Sequence, residues 1–186
     1  VPSVEEEFGP EDERTESFRN RAMDQLHTLA DNGYFAVDAN LQSLMSHDLA
    51  PLRTHEKFHR FVDACAEPLI NDPTLARSPY HKELRFEVLV RKGESVAAEE
   101  TIDEMQHYGK QVSRLDQSLG SIQMHQTACC LARGAQQLDD EATKERWRKK
   151  AIEIMKEAIQ LGFDDLQALQ SDPDLIDLRN ESSFAQ

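Results

Sequence analysis

The residues best suited to chemistry are His55-Glu56-Lys57-Phe58-His59, which satisfy the pattern H-E-x-x-H. On a helix, histidines at i and i+4 share a face and can both bind Zn²⁺, while the intervening Glu acts as general base. Such a site needs a third ligand. Extended forms of the pattern ask for Gly at 62 and His at 65, where Val62 and Cys65 stand. Glu83 is a distant carboxylate that nothing in the spacing singles out. The sequence favours incidental surface histidines with Phe58 as a packing residue. A zinc-dependent peptidase built on His55 and His59 is the alternative reading.

Other candidates are weaker. Cys65, Cys129 and Cys130 are an odd number of cysteines with an adjacent pair, a poor disulfide framework. Each lies in an apolar helical stretch, where a free Cys behaves as a small hydrophobe. Neighbours on a helix point about 100° apart and chelate poorly as a pair. Asp164-Asp165 and Asp172-Pro173-Asp174 lack the order and the closing Glu of a calcium loop, and read as caps and turns. The sequence holds no Gly-rich phosphate loop, no G-x-S-x-G elbow and no catalytic kinase motif. Neither a cofactor nor a metal is expected, and no catalytic residue is assigned.

The bulk properties exclude some classes of partner. Lys+Arg 21 against Asp+Glu 35 gives a net charge of -14, which opposes a phosphate backbone, so no nucleic-acid partner is expected. No apolar run approaches the ~20 residues that span a membrane, so this chain is expected to make no membrane contact. The free cysteines point to a reducing compartment, the cytoplasm. The first residue is Val, which is expected of a fragment of a larger protein. Aromatic residues are only 6%, which suits helix–helix packing better than a sandwich of sheets.

Helical periodicity dominates. Residues 1–15 form an acidic opening with Pro2, Gly9 and Pro10, expected to be a disordered linker. Residues 16–67 hold a first helix from about Glu16 to Asp31, a short turn at Leu41 to Met45, and a helix from Thr54 to Glu67 halted by Pro68. Residues 78–186 hold the remaining hairpins. One helix starts at Ser78-Pro79 and stops at Gly93. The next starts near Ser95 on the ladder Ala98, Ile102, Met105, Val112, Leu115 and Leu119, locally weakened at Gly109. Two more run from Ser121 to about Gln137 and from Glu141 to Leu161, the last ending at Gly162.

The chain repeats itself. Ala22-Met23, Gly33-Tyr34, Leu41-Gln42-Ser43-Leu44, Asp48-Leu49, Leu52-Arg53 and Phe58 recur in order. Their counterparts are Ala151-Ile152, Gly162-Phe163, Leu166-Gln167-Ala168-Leu169, Asp174-Leu175, Leu178-Arg179 and Phe184. The offset drifts from 129 (151 − 22) to 126 (184 − 58), which places small insertions in the loops. Each copy reads as an amphipathic helix ended by Gly, an aromatic over the helix end, and a leucine-rich segment covering an exposed edge. In the second copy Leu166, Leu169, Leu175 and Leu178 are expected to be buried and Phe163 to seal the joint. Arg179, like Arg53 in the first copy, is expected near a helix C-terminus or a carboxylate.

Thr127-Ala128-Cys129-Cys130-Leu131-Ala132 resembles helix A of a tetratricopeptide (TPR) repeat. Ala151, Met155 and Ala158 match the small and apolar positions of helix B. The ending Gly162-Phe163-Asp164-Asp165-Leu166 … Ser171-Asp172-Pro173-Asp174-Leu175-Ile176-Asp177-Leu178-Arg179 is similar to one common in the C-terminal repeat regions of bacterial serine/threonine protein kinases. Phe86 stands where a small residue is expected, and Lys82 and Arg85 replace apolar positions. The resemblance implies an all-α fold of antiparallel hairpins stacked as a short TPR-like solenoid with a leucine-rich C-terminal cap. It implies a non-catalytic, cytoplasmic protein–protein interaction module of a larger bacterial regulatory or signalling protein. Its partner would be a protein or peptide. Helix A side chains line the groove of such arrays, which nominates Glu87, Arg91, His125, Cys129 and Arg133 as binding residues. A structural spacer or assembly segment is a further alternative.

Overall fold

The computed structural model describes residues 13–36, 38–45, 49, 52 and 55–180. These are helical, joined by turns, with no strand among them. The helices are α1 (Glu13–Asp31), α2 (Asp38–Leu41), α3 (Glu56–Asn71), α4 (Pro79–Arg91), α5 (Ser95–Ser113), α6 (Gln117–Gln136), α7 (Glu141–Gln160) and α8 (Leu166–Ser171). Short 3-10 turns lie at Tyr34–Ala36, Gln42–Met45, Pro73–Leu75, Pro173–Leu175 and Leu178–Asn180. The chain divides into two compact units, Val1–Leu84 and Arg85–Gln186, with the boundary inside α4. Most of the acidic opening, and with it Asp48, Arg53, Thr54 and Phe184, lies outside the described residues.

In the first unit α1 begins at Glu13 rather than Glu16 and already buries Thr15. Met23 and Leu26 of α1 are buried, as are Phe58, Phe61 and Val62 of α3. Rings knit the unit together. His27 meets Phe61 edge-on at 5.0 Å, and Phe35 meets Phe61 at 5.6 Å. Leu41, Leu44 and Leu52 are buried behind Gly33. The α3 helix does not halt at Pro68 as expected, but runs on to Asn71. Proline removes one backbone donor, yet Leu69, just beyond it, is buried, and that contact favours another turn. The helix stops at Asp72, whose N–H reaches the Pro68 carbonyl at 3.0 Å.

In the second unit α5, α6 and α7 alternate in direction. Ser113 of α5 lies against Gly120 of α6, and Gly109 against Met124, so α5 and α6 are antiparallel. Gly109 is therefore not a weak point but a buried contact, where a Cβ would come within 2.9 Å of the Met124 sulfur. A ladder of polar pairs joins α5 to α7: Glu99 with Arg146 and Trp147, Asp103 with Lys150 (2.6 Å), and Gln106 and Lys110 with Glu157 (3.0 and 2.9 Å). Residue numbers rise together along it, so α5 and α7 are parallel. Phe86 replaces the expected small residue of α4 because Gly134 of α6 supplies the room. A Cβ at Gly134 would meet the Phe86 ring at 2.5 Å, and Phe86 lies 5.7 Å from the Trp147 ring. Arg85 is buried but donates to the Thr101 hydroxyl at 2.9 Å.

The expected ladder through Leu115 and Leu119 is broken. The α5 helix ends at Ser113, and Asp116 caps a new helix by accepting from the Leu119 N–H at 3.0 Å. Leu115 and Leu119 are consequently 91% and 57% exposed. The cap side chain competes with helix continuation for the same N–H group, and so turns the chain without Gly or Pro.

Candidate functional site

The α6 helix is buried along most of its length, including polar side chains that ordinarily face water. His125, Cys129 and Arg133 fall at successive i+4 positions, one above another on a single face. What covers that face is the chain's own C-terminal segment. Gly162, with φ +98°, adopts the left-handed conformation that ends α7 and turns the backbone back. Phe163 then stacks on the His125 ring, with centroids 4.1 Å apart and planes 11° from parallel.

Asp165 caps α8 through the Ala168 N–H (2.9 Å), and Asp172 caps the next turn through the Asp174 N–H (2.9 Å). Three carboxylates of this segment meet the helices: Asp172 the Cys129 sulfur, Asp174 the Arg133 guanidinium, and Asp177 the Arg148 guanidinium at 3.1 Å. Gln136 adds a bond to the Asp174 carbonyl at 3.2 Å. Leu175 and Leu178 are fully buried. Leu169 and Phe163 are half-buried, and Leu166, expected inside, is 67% exposed because it opens α8 on the solvent side. Arg179 donates to the Gln170 carbonyl in the last turn of α8.

Arg133 is the electrostatic centre. It bonds Glu87 of α4 and Asp174 of the tail at once. Gln137 reaches the other Glu87 oxygen at 3.3 Å, and Arg91 lies 3.9 Å from it. Burial pushes the Glu87 carboxyl up, but Arg133, with Gln137 and Arg91, outweighs it and holds the group below the usual carboxylate range. All five nominated groove residues thus lie within this unit, and four of them are buried, with Arg91 half-buried.

A tighter cluster sits at the other end of the same face. The His125 Nε2 lies 3.5 Å from the Cys129 Sγ, which lies 3.6 Å from an Asp172 oxygen. Burial lowers the His125 pKa, with Asp172 and Asp165 pulling the other way, so the ring is neutral at neutral pH. Burial, then Asp172 and Asp174, drive the Cys129 thiol upward and keep it protonated. It is not a poised nucleophile, since the thiolate is the reactive form. Sequence reasoning misses His125 and Cys129 as a ligand pair, although their i, i+4 spacing is a signal that could have found them. Asp172, 43 residues from Cys129, carries no signal of its own.

The H-E-x-x-H segment is arranged differently. His55 is not on the α3 helix but precedes it in an extended conformation, its carbonyl accepting from the Phe58 and His59 N–H groups. Its ring lies 3.4 Å from Glu16, and both histidines are half-buried rather than at the surface as expected. Phe58 is buried, in keeping with a packing role. Among the described residues, no third ligand gathers with His55 and His59. No described helix is long and apolar enough to cross a membrane. Comparison of the chain with protein-family models, curated proteins and solved structures finds no match.

Proposed function

We propose that this chain is a non-catalytic protein–protein interaction module, a TPR-like scaffold of a larger bacterial regulatory protein. The observation that carries the reading is an apolar strip left in water at the start of α6. Leu115 in the turn before α6, and Leu119 and Ile122 within it, are 91%, 57% and 42% exposed, whereas most of the rest of that helix is buried. Scattered exposed leucines are ordinary, but three large apolar side chains close together in sequence at one helix start suit a partner's apolar face. The alternating helix directions of α5 to α7 and the small residues at the α5–α6 crossing support the repeat reading.

In this reading the groove-type residues Glu87, His125, Cys129 and Arg133 have an intramolecular task. They hold the segment from Phe163 to Leu178 as a cap in the place of a following repeat. Partner contact then falls to the open strip. Crosslinking and affinity capture with the wild-type protein and with a Leu119→Glu/Ile122→Glu variant tests this. Both side chains are exposed, so the variant should keep the wild-type circular dichroism and melting temperature while losing the captured partner. Equal recovery of every partner by a folded variant would remove the strip from the proposal.

A further inference from the structure

We infer that His125, Cys129 and Asp172 form a zinc site that ties the C-terminal segment to α6. Their ligand atoms all lie within 4.8 Å of one another, the only such group of three among the described residues. Tetrahedral zinc, with bonds of about 2.3 Å to sulfur and about 2.0–2.1 Å to nitrogen or oxygen, sets neighbouring ligand atoms about 3.5 Å apart. The two edges through sulfur already have that length, at 3.5 Å to His125 and 3.6 Å to Asp172. Closing the histidine–carboxylate edge is the one adjustment required.

The ligands are also held in place before any metal arrives. One Asp172 oxygen is engaged by the Asp174 N–H, which leaves the other facing the sulfur. The stacked Phe163 ring fixes the plane of His125. Such outer contacts orient metal ligands and strengthen their grip. His125 and Cys129, one turn apart on α6, cannot rearrange independently of each other.

Charge points the same way. One zinc with one thiolate, one carboxylate and a neutral imidazole sums to zero, so the loaded site can be buried without a net charge. In the free protein the thiol hydrogen bonds to Asp172. Zinc takes the place of that proton, which leaves to solvent, and the fourth position is filled by water. Zinc is favoured over calcium or magnesium because sulfur and imidazole are poor ligands for hard ions. The site stands apart from the partner-binding proposal, since none of its residues belongs to the exposed strip.

The test is a cobalt and zinc titration of the reduced, metal-free full chain. Co²⁺ should saturate at one per chain with a thiolate-to-metal charge-transfer band and tetrahedral visible absorption, both abolished by one equivalent of Zn²⁺. Zinc should raise the melting temperature. Cys129→Ser should remove the charge-transfer band. His125→Gln and Asp172→Asn should each weaken zinc binding by roughly 100-fold or more, since even outer-shell changes cost about 10–100-fold. Asp172→Asn keeps an acceptor for the turn and so separates ligation from folding. Cys130→Ser, Cys65→Ser and His59→Gln should bind as the parent does. The inference fails if no charge-transfer band appears, or if the band survives in Cys129→Ser. It fails equally if zinc is lost in His59→Gln and kept in a folded Cys129→Ser variant, which would move the metal to the H-E-x-x-H segment.

Discussion

The segments that follow Gly33 and Gly162 share one sequence pattern and close their helices by different physics. Behind Gly33 the closure is apolar and aromatic. Phe35 packs on Phe61, and Leu41, Leu44 and Leu52 are all buried. Behind Gly162 the leucine that corresponds to Leu41 is Leu166, and it stands in water. Closure there relies on Leu175 and Leu178 together with carboxylates aimed at Cys129, Arg133 and Arg148. A repeated pattern therefore specifies where a chain turns back and how many leucines are available. What those leucines meet is set by the surface they return to. Where that surface offers His125, Cys129 and Arg133, the returning aspartates acquire partners, and a passive cover becomes a site.

The contrast breaks most decisively at Arg133. Replacing it with Met leaves the Glu87 and Asp174 carboxylates facing each other without their cation. Removing one partner of a buried pair costs about 3–5 kcal/mol, so Arg133→Met should lower the denaturant midpoint severely. Amide exchange followed by mass spectrometry should then show loosening in α6 and the tail, with 13–71 little affected. The same pair predicts an acid response. Glu87 has a folded pKa below its unfolded value, so its contribution is present at neutral pH and is lost as pH falls through the folded pKa. The second unit should lose protection at acid pH by up to about 1.4 kcal/mol per pH unit for this group. In Arg133→Met burial becomes the larger influence on Glu87, so its carboxyl should titrate higher and the acid loss from this group should vanish or reverse in sign.

Leu178→Ala and Leu44→Ala form a matched pair, since both side chains are fully buried. Each should cost about 2–5 kcal/mol, the usual range for a buried leucine. The sites of damage should differ: exchange should rise at Phe163 to Asn180 for the first and between α1 and α3 for the second. Equal loosening everywhere would show that the two closures do not act separately. Leu166→Ala, by contrast, should change stability by less than about 0.5 kcal/mol, as exposed positions do.

Gly33→Ala and Gly162→Ala probe what the copies have in common. Both glycines have positive φ and open space where a Cβ would sit, so the penalty is conformational and not steric. Each substitution should cost about 1 kcal/mol, read from the shift in thermal midpoint. A large difference between the two would mean that one turn is strained by its neighbours.

Helix order, the Gly stops and the Ser78 start were legible because each depends on local chemistry. The Ser78 hydroxyl indeed accepts from the His81 N–H, at 3.2 Å. Misreadings arose where local signals compete. At Pro68 the missing donor argued for a stop, and the buried Leu69 prevailed. At Asp116 an unbroken apolar ladder argued for one helix, and a single carboxylate split it. The H-E-x-x-H string drew attention by its spelling, but a helix that starts one residue late leaves His55 off the shared face. His125 and Cys129 carried the same i, i+4 relation in an unadvertised form. Their third companion was out of reach, since nothing near Asp172 in the chain mentions α6.

Sequence alone determined that this protein is helical, where most of its helices begin and end, and that a Gly–aromatic–leucine pattern occurs twice in it. Propensity, capping and periodicity act over a few residues and so are written locally. Tertiary structure alone decided which carboxylate meets which cation, that Phe86 is admitted by Gly134, and that Leu166 is exposed while Leu178 is buried. Those outcomes depend on distances between residues tens of positions apart, and no short-range rule carries that information.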